Sequence, residues 1–548
     1  MKDWSPASAV RWLFTSEPGR HGYKDPPPQG QGKADRLLPR WIFLRALGLI
    51  YYSAFFSLAF QIKGLIGPQV ILPADQYLRA VAEQLGRVGY WYAPTLLWFS
   101  SSQHMLTAIC WVGMIASVLL VLDLCPRGML AICFVCFLSF VSAAQDFSAY
   151  QSDGMLLEAG FISLFFAPRG FRPGWGEASP PSRASWFLLL WECFRIYFES
   201  GVAKIMGGDP EWRNFTALDE YYQNGPLPTW IGWYIQHWPH WFHAALAFGT
   251  LALELGLAWM MFLPRRFRIV CFCLVTPWQI GIILSANYTF LNYLVLALGF
   301  LLLDDKLLQR FLPKGWKSKF PEPQEVEPQG ETSTEKRWRE TLYKQWAAVK
   351  LASTTVLLAW IFYATTAQMV WMVKPVNLPT TPVSALEPFR IANRYGLFAI
   401  MTRGRYEIEF QGSDDGQKWL VYPFRFKPQD PAKAPGIYAP YQPRFDWNLW
   451  FASLSTWREP IVPRTEQALL RGSQDVLLLF AGNPFPKTPP RQVRAVLWRY
   501  WFTTPEEKRT TGRWWRREQL GLYAPTLERE DDGRIVVLQW PGMMEPRE

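Results

Sequence analysis

Several ionisable side chains sit inside long apolar runs of this chain, where each needs either a partner or a task. Glu192, Arg195 and Glu199 recur at i, i+3 and i+7, which places all three on one face of a helix. A charged face next to lipid is costly unless it lines a bundle interior or a cavity and is paired, so structural pairing and handling of a polar substrate are the two open readings. Glu254 lies in the middle of another apolar run, with Gln279, Asn287 and Asn292 in or near the runs that follow. An unpaired carboxylate at that depth is expensive, so Glu254 is expected to be protonated, hydrogen-bonded or paired. Asp146, Tyr150 and Asp153 share a helical face, and Glu158 follows after Gly154. Lys204 stands five residues beyond Glu199, about 140° round a straight helix, and near the helix end. There it can snorkel to the headgroups or serve a function.

After Lys204 the chain reads Gly207-Gly208-Asp209-Pro210-Glu211-Trp212-Arg213-Asn214-Phe215-Thr216-Ala217-Leu218-Asp219, then Tyr222 and Pro226-Leu227-Pro228. This pattern predicts an ordered loop on the membrane surface, with Trp212 and Tyr222 either packing at headgroup level or touching a partner. His237, His240 and His243 follow at three-residue spacing without a cysteine or carboxylate at ligand spacing, so no metal is expected. Cys133-x-x-Cys136 is embedded in an apolar run, which raises thiol pKa and argues against redox work. All seven cysteines lie at or before residue 273, so no disulfide framework is expected beyond it. Phosphate-binding loops, dinucleotide fingerprints and nucleophile elbows are absent from the sequence, and no cofactor is expected.

The elements that must carry these residues follow from composition. The chain has 548 residues, of which 50% are hydrophobic and 18% charged, against about 25% charged in soluble proteins. The apolar residues gather in runs close to the 20 or so a bilayer-spanning helix needs. Expected spans are 41–61, 106–122, 129–149, 151–167, 186–206, 243–262, 267–283, 290–303 and 349–373, about nine crossings, with the run at 156–168 the weakest. The basic short loops (Arg127; Arg169, Arg172 and Arg183; Arg265, Arg266 and Arg268; the stretch 306–344) then fall on one side. By the positive-inside rule that side is cytoplasmic, and the net charge of +11 reports topology rather than nucleic-acid binding. The expected fold is a polytopic α-helical membrane protein with a C-terminal soluble, β-containing (α+β) domain. The expected division is a cytoplasmic segment 1–40, which leaves no cleavable signal peptide, then a multi-span domain 41–303. A cytoplasmic linker 304–348, flexible over 321–335, a last span 349–373 and an extracytoplasmic domain 374–548 complete it.

Within that last domain, Tyr406, Ile408 and Phe410 alternate with Glu407, Glu409 and Gln411. Gly412-Ser413-Asp414-Asp415-Gly416 breaks the alternation and 419–426 resumes it, predicting a β-hairpin. An apolar helix is predicted over 467–480 and strands over 491–502 and 534–540. Arg513-Trp514-Trp515-Arg516-Arg517 alternates cations and indoles. Either it docks this domain onto the bundle near 212–219 at headgroup level, or it is buried within the domain with its arginines in salt bridges.

Many ordered blocks resemble the lipase maturation factor family: Arg40-Trp41-Ile42-Phe43-Leu44-Arg45, residues 146–158 and 201–219 with Tyr222, Pro226-Leu227-Pro228 and Pro264-Arg265-Arg266. Asn287-Tyr288 with Phe290 and Asn292, Arg394-Tyr395-Gly396-Leu397-Phe398, Arg405-Tyr406-Glu407-Ile408, the 412–416 turn, Pro443-Arg444-Phe445-Asp446-Trp447 and Trp514-Trp515-Arg516-Arg517 continue it. The resemblance implies a membrane factor that helps secreted lipases reach an active folded state, in the endoplasmic reticulum of vertebrate members. The tail would face the client, and the partners would be membrane lipid and a secreted protein, with no nucleic acid. The chain shows no retention signal at Pro546-Arg547-Glu548, so a prokaryotic plasma membrane is expected, with the N-terminus cytoplasmic. The segment from Gly201-Val202-Ala203-Lys204 to Trp212 also resembles the helix-end motif of vitamin K-dependent carboxylases, which implies Lys204 as a base. The alternative function is therefore a membrane enzyme at the outer leaflet, using Lys204 with Asp209, Arg213, Asp219, Asp153 and Glu158. Transport is disfavoured because no paired halves with broken helices are evident.

Overall fold

The computed structural model describes residues 36–317 and 334–542. The N-terminal segment over 1–40 and the linker stretch 321–335 lie almost wholly outside the described residues. Apolar runs become helices because a backbone in lipid must satisfy its own hydrogen bonds. In chain order these are α1 (Leu37–Ala59), α2 (Ala74–Leu85), α3 (Gln103–Val121), α4 (Pro126–Val141), α5 (Gln151–Phe166) and α6 (Arg183–Met206). Then follow α7 (His240–Leu251), α8 (Arg265–Ser285), α9 (Leu291–Gly299) and α10 (Thr334–Val373). Helix α7 runs on through a π turn, Ala252–Gly256, and a 3-10 turn, Leu257–Phe262.

Among the described residues, five helices are long and apolar enough to cross a membrane: α1, α3, the α7 continuation to Phe262, α8, and the Ala348–Val373 part of α10. Pro126–Val141 and Leu291–Leu302 are apolar but shorter. Helices α5 and α6 fall where spans were expected, yet neither is among the five. Helix α5 has 16 residues, and α6 carries Glu192, Arg195 and Glu199 near its middle. The helical region is thus a bundle with five candidate spans, followed by a sheet domain.

Among the described residues that domain has six strands: β1 (Arg405–Ser413), β2 (Leu420–Val421), β3 (Gln492–Phe502), β4 (Trp515–Leu522), β5 (Thr526–Arg529) and β6 (Ile535–Gln539). The order is β2-β1-β3-β5-β6, and β4 also pairs with β3. The hairpin expected around the 412–416 turn is present, with Gln411 opposite Val421, though β2 is only two residues long before Pro423. The strands expected over 491–502 and 534–540 are β3 and β6.

The expected 467–480 helix is not continuous. Helix α11 (Arg444–Ser453) is followed by α12 (Ile461–Leu470), and α12 ends at Gly472, whose φ of +67° and contact with Pro489 leave no room for a side chain. A separate turn, Gln474–Leu477, begins after it.

Glu466 of α12 is fully buried and its carboxyl makes no hydrogen bond; the Ala495 amide is the polar group beside it. Burial pushes its pKa well above the ordinary carboxylate value. A folded pKa above the unfolded one means the folded state keeps a proton the unfolded state has lost. The associated stability is present at acid pH and lost as pH rises. Burial likewise pushes Asp446 up to about 6, so Asp446 contributes little above about pH 6, and the share of Glu466 there is the difference between the wild type and Glu466→Gln. In that window Glu466 should make thermal stability fall with pH by up to about 1.4 kcal/mol per unit, and Glu466→Gln should make the slope shallower by that share. Melting curves of both full-length proteins in detergent across that range check this; parallel slopes would refute it.

Candidate functional site

The residues expected to do chemistry gather at one end of the bundle, where the sheet domain seats. Asp153, at the start of α5, holds Arg444 from α11 in a two-pronged ion pair, Nη1 at 2.7 Å and Nη2 at 2.8 Å. Nη1 also donates to the Phe147 carbonyl at 2.6 Å, and the guanidinium lies over the rings of Phe140 and Tyr150. Both charged side chains are completely buried.

One helical turn on, Glu158 is ion-paired with Arg195 of α6, and it accepts hydrogen bonds from the Asn393 amide at 2.9 Å and side chain at 3.2 Å. Arg195 also donates to the Asn393 carbonyl at 2.6 Å and stands 3.8 Å from Glu199. Glu199 accepts the Tyr395 amide at 2.6 Å, and Gln151 accepts that of Gly396 at 2.9 Å. The shared face of α6 is therefore real, and it binds the backbone at Asn393 and Tyr395, about twenty residues beyond α10. Glu192 lies on the same face, sealed inside the bundle with neither carboxyl oxygen hydrogen-bonded.

Lys204 does not snorkel. Its ammonium donates to Ser200 at 2.5 Å and to both Glu254 oxygens at 2.9 Å, and it lies 5.1 Å from the Trp212 ring centre. Glu254 sits in the π turn of the α7 continuation. Gly201 permits this approach, because a Cβ there would stand 2.8 Å from Leu255 and 3.0 Å from Glu254.

The surface loop is tied down in the same way. Asp209 caps the Glu211 amide and accepts the Met401 amide at 2.6 Å, and Trp212 donates to the Phe398 carbonyl at 2.8 Å. Arg213 is exposed and points back to the Ile205 carbonyl, away from the other candidates. Asp219 meets His240 at 2.9 Å and His243 at 3.3 Å, a carboxylate that the local spacing of the histidines could not reveal. His237 bonds the Trp233 carbonyl instead, and no three His, Cys, Asp or Glu side chains among the described residues are arranged to hold a metal. Asn287 accepts from the Tyr438 and Ala439 amides and donates to the Gly436 carbonyl, while Asn292 donates to Gln279, which donates to Tyr197.

The 513–517 segment divides its roles. Trp515, in β4, is buried inside the sheet domain against Phe502, with Arg516 near Glu507 at 3.4 Å and Arg517 near Glu409 at 3.3 Å. Trp514 packs on Trp233 at 5.5 Å, and Lys508 stands over both rings. The segment therefore touches the Trp230–Gln236 helix, and Tyr222 joins the same cluster, whereas Trp212 belongs to a different one.

Arg444, Asn393 and Arg405 were not singled out by the sequence reading. Arg405 donates to the Gln223 carbonyl at 3.0 Å and the Pro226 carbonyl at 3.1 Å, and it pairs with Glu407. The available signal for Arg405 and Arg444 is their position in the tail blocks quoted above, and Asn393 directly precedes one of those blocks. Chemically, Asp153, Glu158, Glu199, Asp209 and Lys204 are all engaged by ion pairs or backbone amides. The cavity beside Tyr222, Asn287 and Tyr288 measures about 10 Å³, at most one water.

Two family models match the sequence: "Lipase maturation factor transmembrane domain" over residues 38–310 and "Lipase maturation factor C-terminal domain" over 391–525. Lipase maturation factor 1 of Bos taurus is 33% identical, the alignment covering 94% of this chain and 95% of that protein. Lipase maturation factor 1 of Mus musculus is 31% identical over 92% of this chain and 90% of that protein. Lipase maturation factor 2 of Gallus gallus is 31% identical over 89% and 81%. No solved structure matches.

Proposed function

The chain belongs to the lipase maturation factor family, and from that premise we propose that it is a membrane-embedded maturation factor that helps secreted lipases fold. The observation that carries the reading is a match spanning both halves of the chain, joined to a junction in which the candidate acids hold the sheet domain rather than a substrate. Such a junction presents a fixed, folded surface beside a membrane, which suits binding of a client more than turnover. We further infer about nine crossings, from the spacing of the apolar runs, and a cytoplasmic N-terminus with the sheet domain outside, supported by the one-sided basic loops.

Deleting the gene should lower the activity of secreted lipase per unit of lipase antigen several-fold, and the full-length chain should restore it. Unchanged specific activity in the deletion strain would sink the reading. A second reading, an enzyme using Lys204, keeps one observation in its favour: Glu254 reaches Lys204 from a π turn, a distortion frequent at functional sites.

A further inference from the structure

The outer strands of the sheet, β2, β4 and β6, are finished differently, and β4 carries the charges Arg516, Arg517 and Glu518. At one edge β2 is two residues long, Pro423 follows it, and the succeeding segment folds over β1, where Lys427 donates to the Ile408 carbonyl at 2.5 Å. Short strands, prolines and covering loops are the usual devices that keep an edge from pairing with other chains. At a further edge β6 has five residues and pairs only with β5 among the described strands. It reads Ile535-Val536-Val537-Leu538-Gln539, then Trp540, with no charge among them; Pro541 follows, and the pairing with β5 slips beside Leu538. Val537 is 40% exposed, Leu538 49% and Trp540 61%. Trp540 packs against Trp457 at 5.7 Å, which anchors the far end of the strand.

We propose that the free edge of β6 takes an extended apolar segment of an incompletely folded secreted protein as an added strand. This rests on the maturation-factor reading and names the surface it would use. Alternate residues of an antiparallel edge strand direct N–H and C=O away from their neighbour, so the edge recognises any extended backbone. The aliphatic side chains on both faces add a preference for apolar sequence, and main-chain recognition tolerates many clients. Only a segment not yet committed to its own fold can supply a free backbone, which selects non-native protein. A second copy of the chain is a poor occupant. Two five-residue strands bury far less than the roughly 1,200 Å² total that a stable interface needs, whereas a transient client needs only weak contact. The turn before β6 does not compete, since Arg534 there is paired with Asp532 and Glu530.

The test uses the full-length protein in detergent, with a reduced and carboxymethylated secreted protein as an unfolded probe and its native form as control. Val537→Lys/Leu538→Lys should weaken probe binding by about tenfold, while Leu420→Lys at the opposite edge leaves it unchanged. A benzophenone amino acid in place of Leu538 should cross-link the unfolded form and not the native one. Leu538→Lys alone replaces the double variant if that variant melts early. Equal binding by the lysine variant, or equal cross-linking of the native form, overturns the proposal. So does a concentration-dependent dimer that the lysine variant abolishes without any probe binding. If gene deletion impairs secreted lipase but the lysine variant complements fully, the edge proposal fails and the functional reading stands. If deletion has no effect on lipase while the probe still binds at β6, the functional reading fails and the surface remains.

Discussion

Asp153→Ala should destabilise the protein by about 3–5 kcal/mol, the cost of leaving one member of a buried ion pair without its partner. The expectation rests on geometry. Arg444 is completely buried, two of its nitrogens face Asp153, and the remaining acceptor in reach is one carbonyl, that of Phe147. Water cannot replace the carboxylate there without opening the junction between α5 and α11. For a unit the size of the sheet domain the loss corresponds to a melting temperature lower by about 10 °C. The pair joins residues from the two halves of the chain, so the sheet domain should also lift, exposing 374–404 to protease. Asp153→Leu combined with Arg444→Met should recover much of the stability, because replacing both charges by apolar groups removes the need for pairing. Melting and limited proteolysis of the three proteins check this. An Asp153→Ala protein that melts with the wild type and resists protease would show that the pair does not hold the domains together.

The same junction shows which parts of the molecule were legible in the sequence. The spacing of Glu192, Arg195 and Glu199 correctly put three charges on one face, because helical periodicity is local. Their partners were not legible, since Asn393 and Tyr395 lie about 200 residues along the chain and carry nothing that marks them as acceptors or donors for α6. Lys204 was read as lying off the charged face of its own helix, which holds. Its pairing with Glu254 depends on a π turn, and no periodicity argument anticipates an extra residue in a turn. The strands β3 and β6 were visible as apolar runs. Strands β4 and β5 were not, because Trp515–Leu522 interleaves charges that pair with Glu409 and Glu507 instead of alternating with apolar residues. The alternation in β1 marks a strand, but it hides that Glu407 and Glu409 face a covered surface, where Lys427 and Arg517 neutralise them.

Lys204 supplies the sharpest separation between a structural and a catalytic reading. Its three ammonium hydrogens have three acceptors, Ser200 and the two Glu254 oxygens, and its side chain is nearly sealed. Lys204→Met alone should therefore cost about 3–5 kcal/mol by stranding a buried carboxylate, and loss of function in that variant would carry no information about catalysis. Lys204→Met with Glu254→Gln removes both charges and should regain most of the stability. If the pair only fixes the packing of α6 against the α7 continuation, the double variant should restore secreted lipase activity close to the wild-type level. If Lys204 is a base, the double variant should be stable and inactive, since no proton acceptor replaces it. Melting temperature and lipase specific activity, measured side by side on the single and double variants, decide between the two. The hydrogen bonds at Lys204 favour restored activity, because a base must present a free lone pair to its substrate and this nitrogen presents three occupied hydrogens instead.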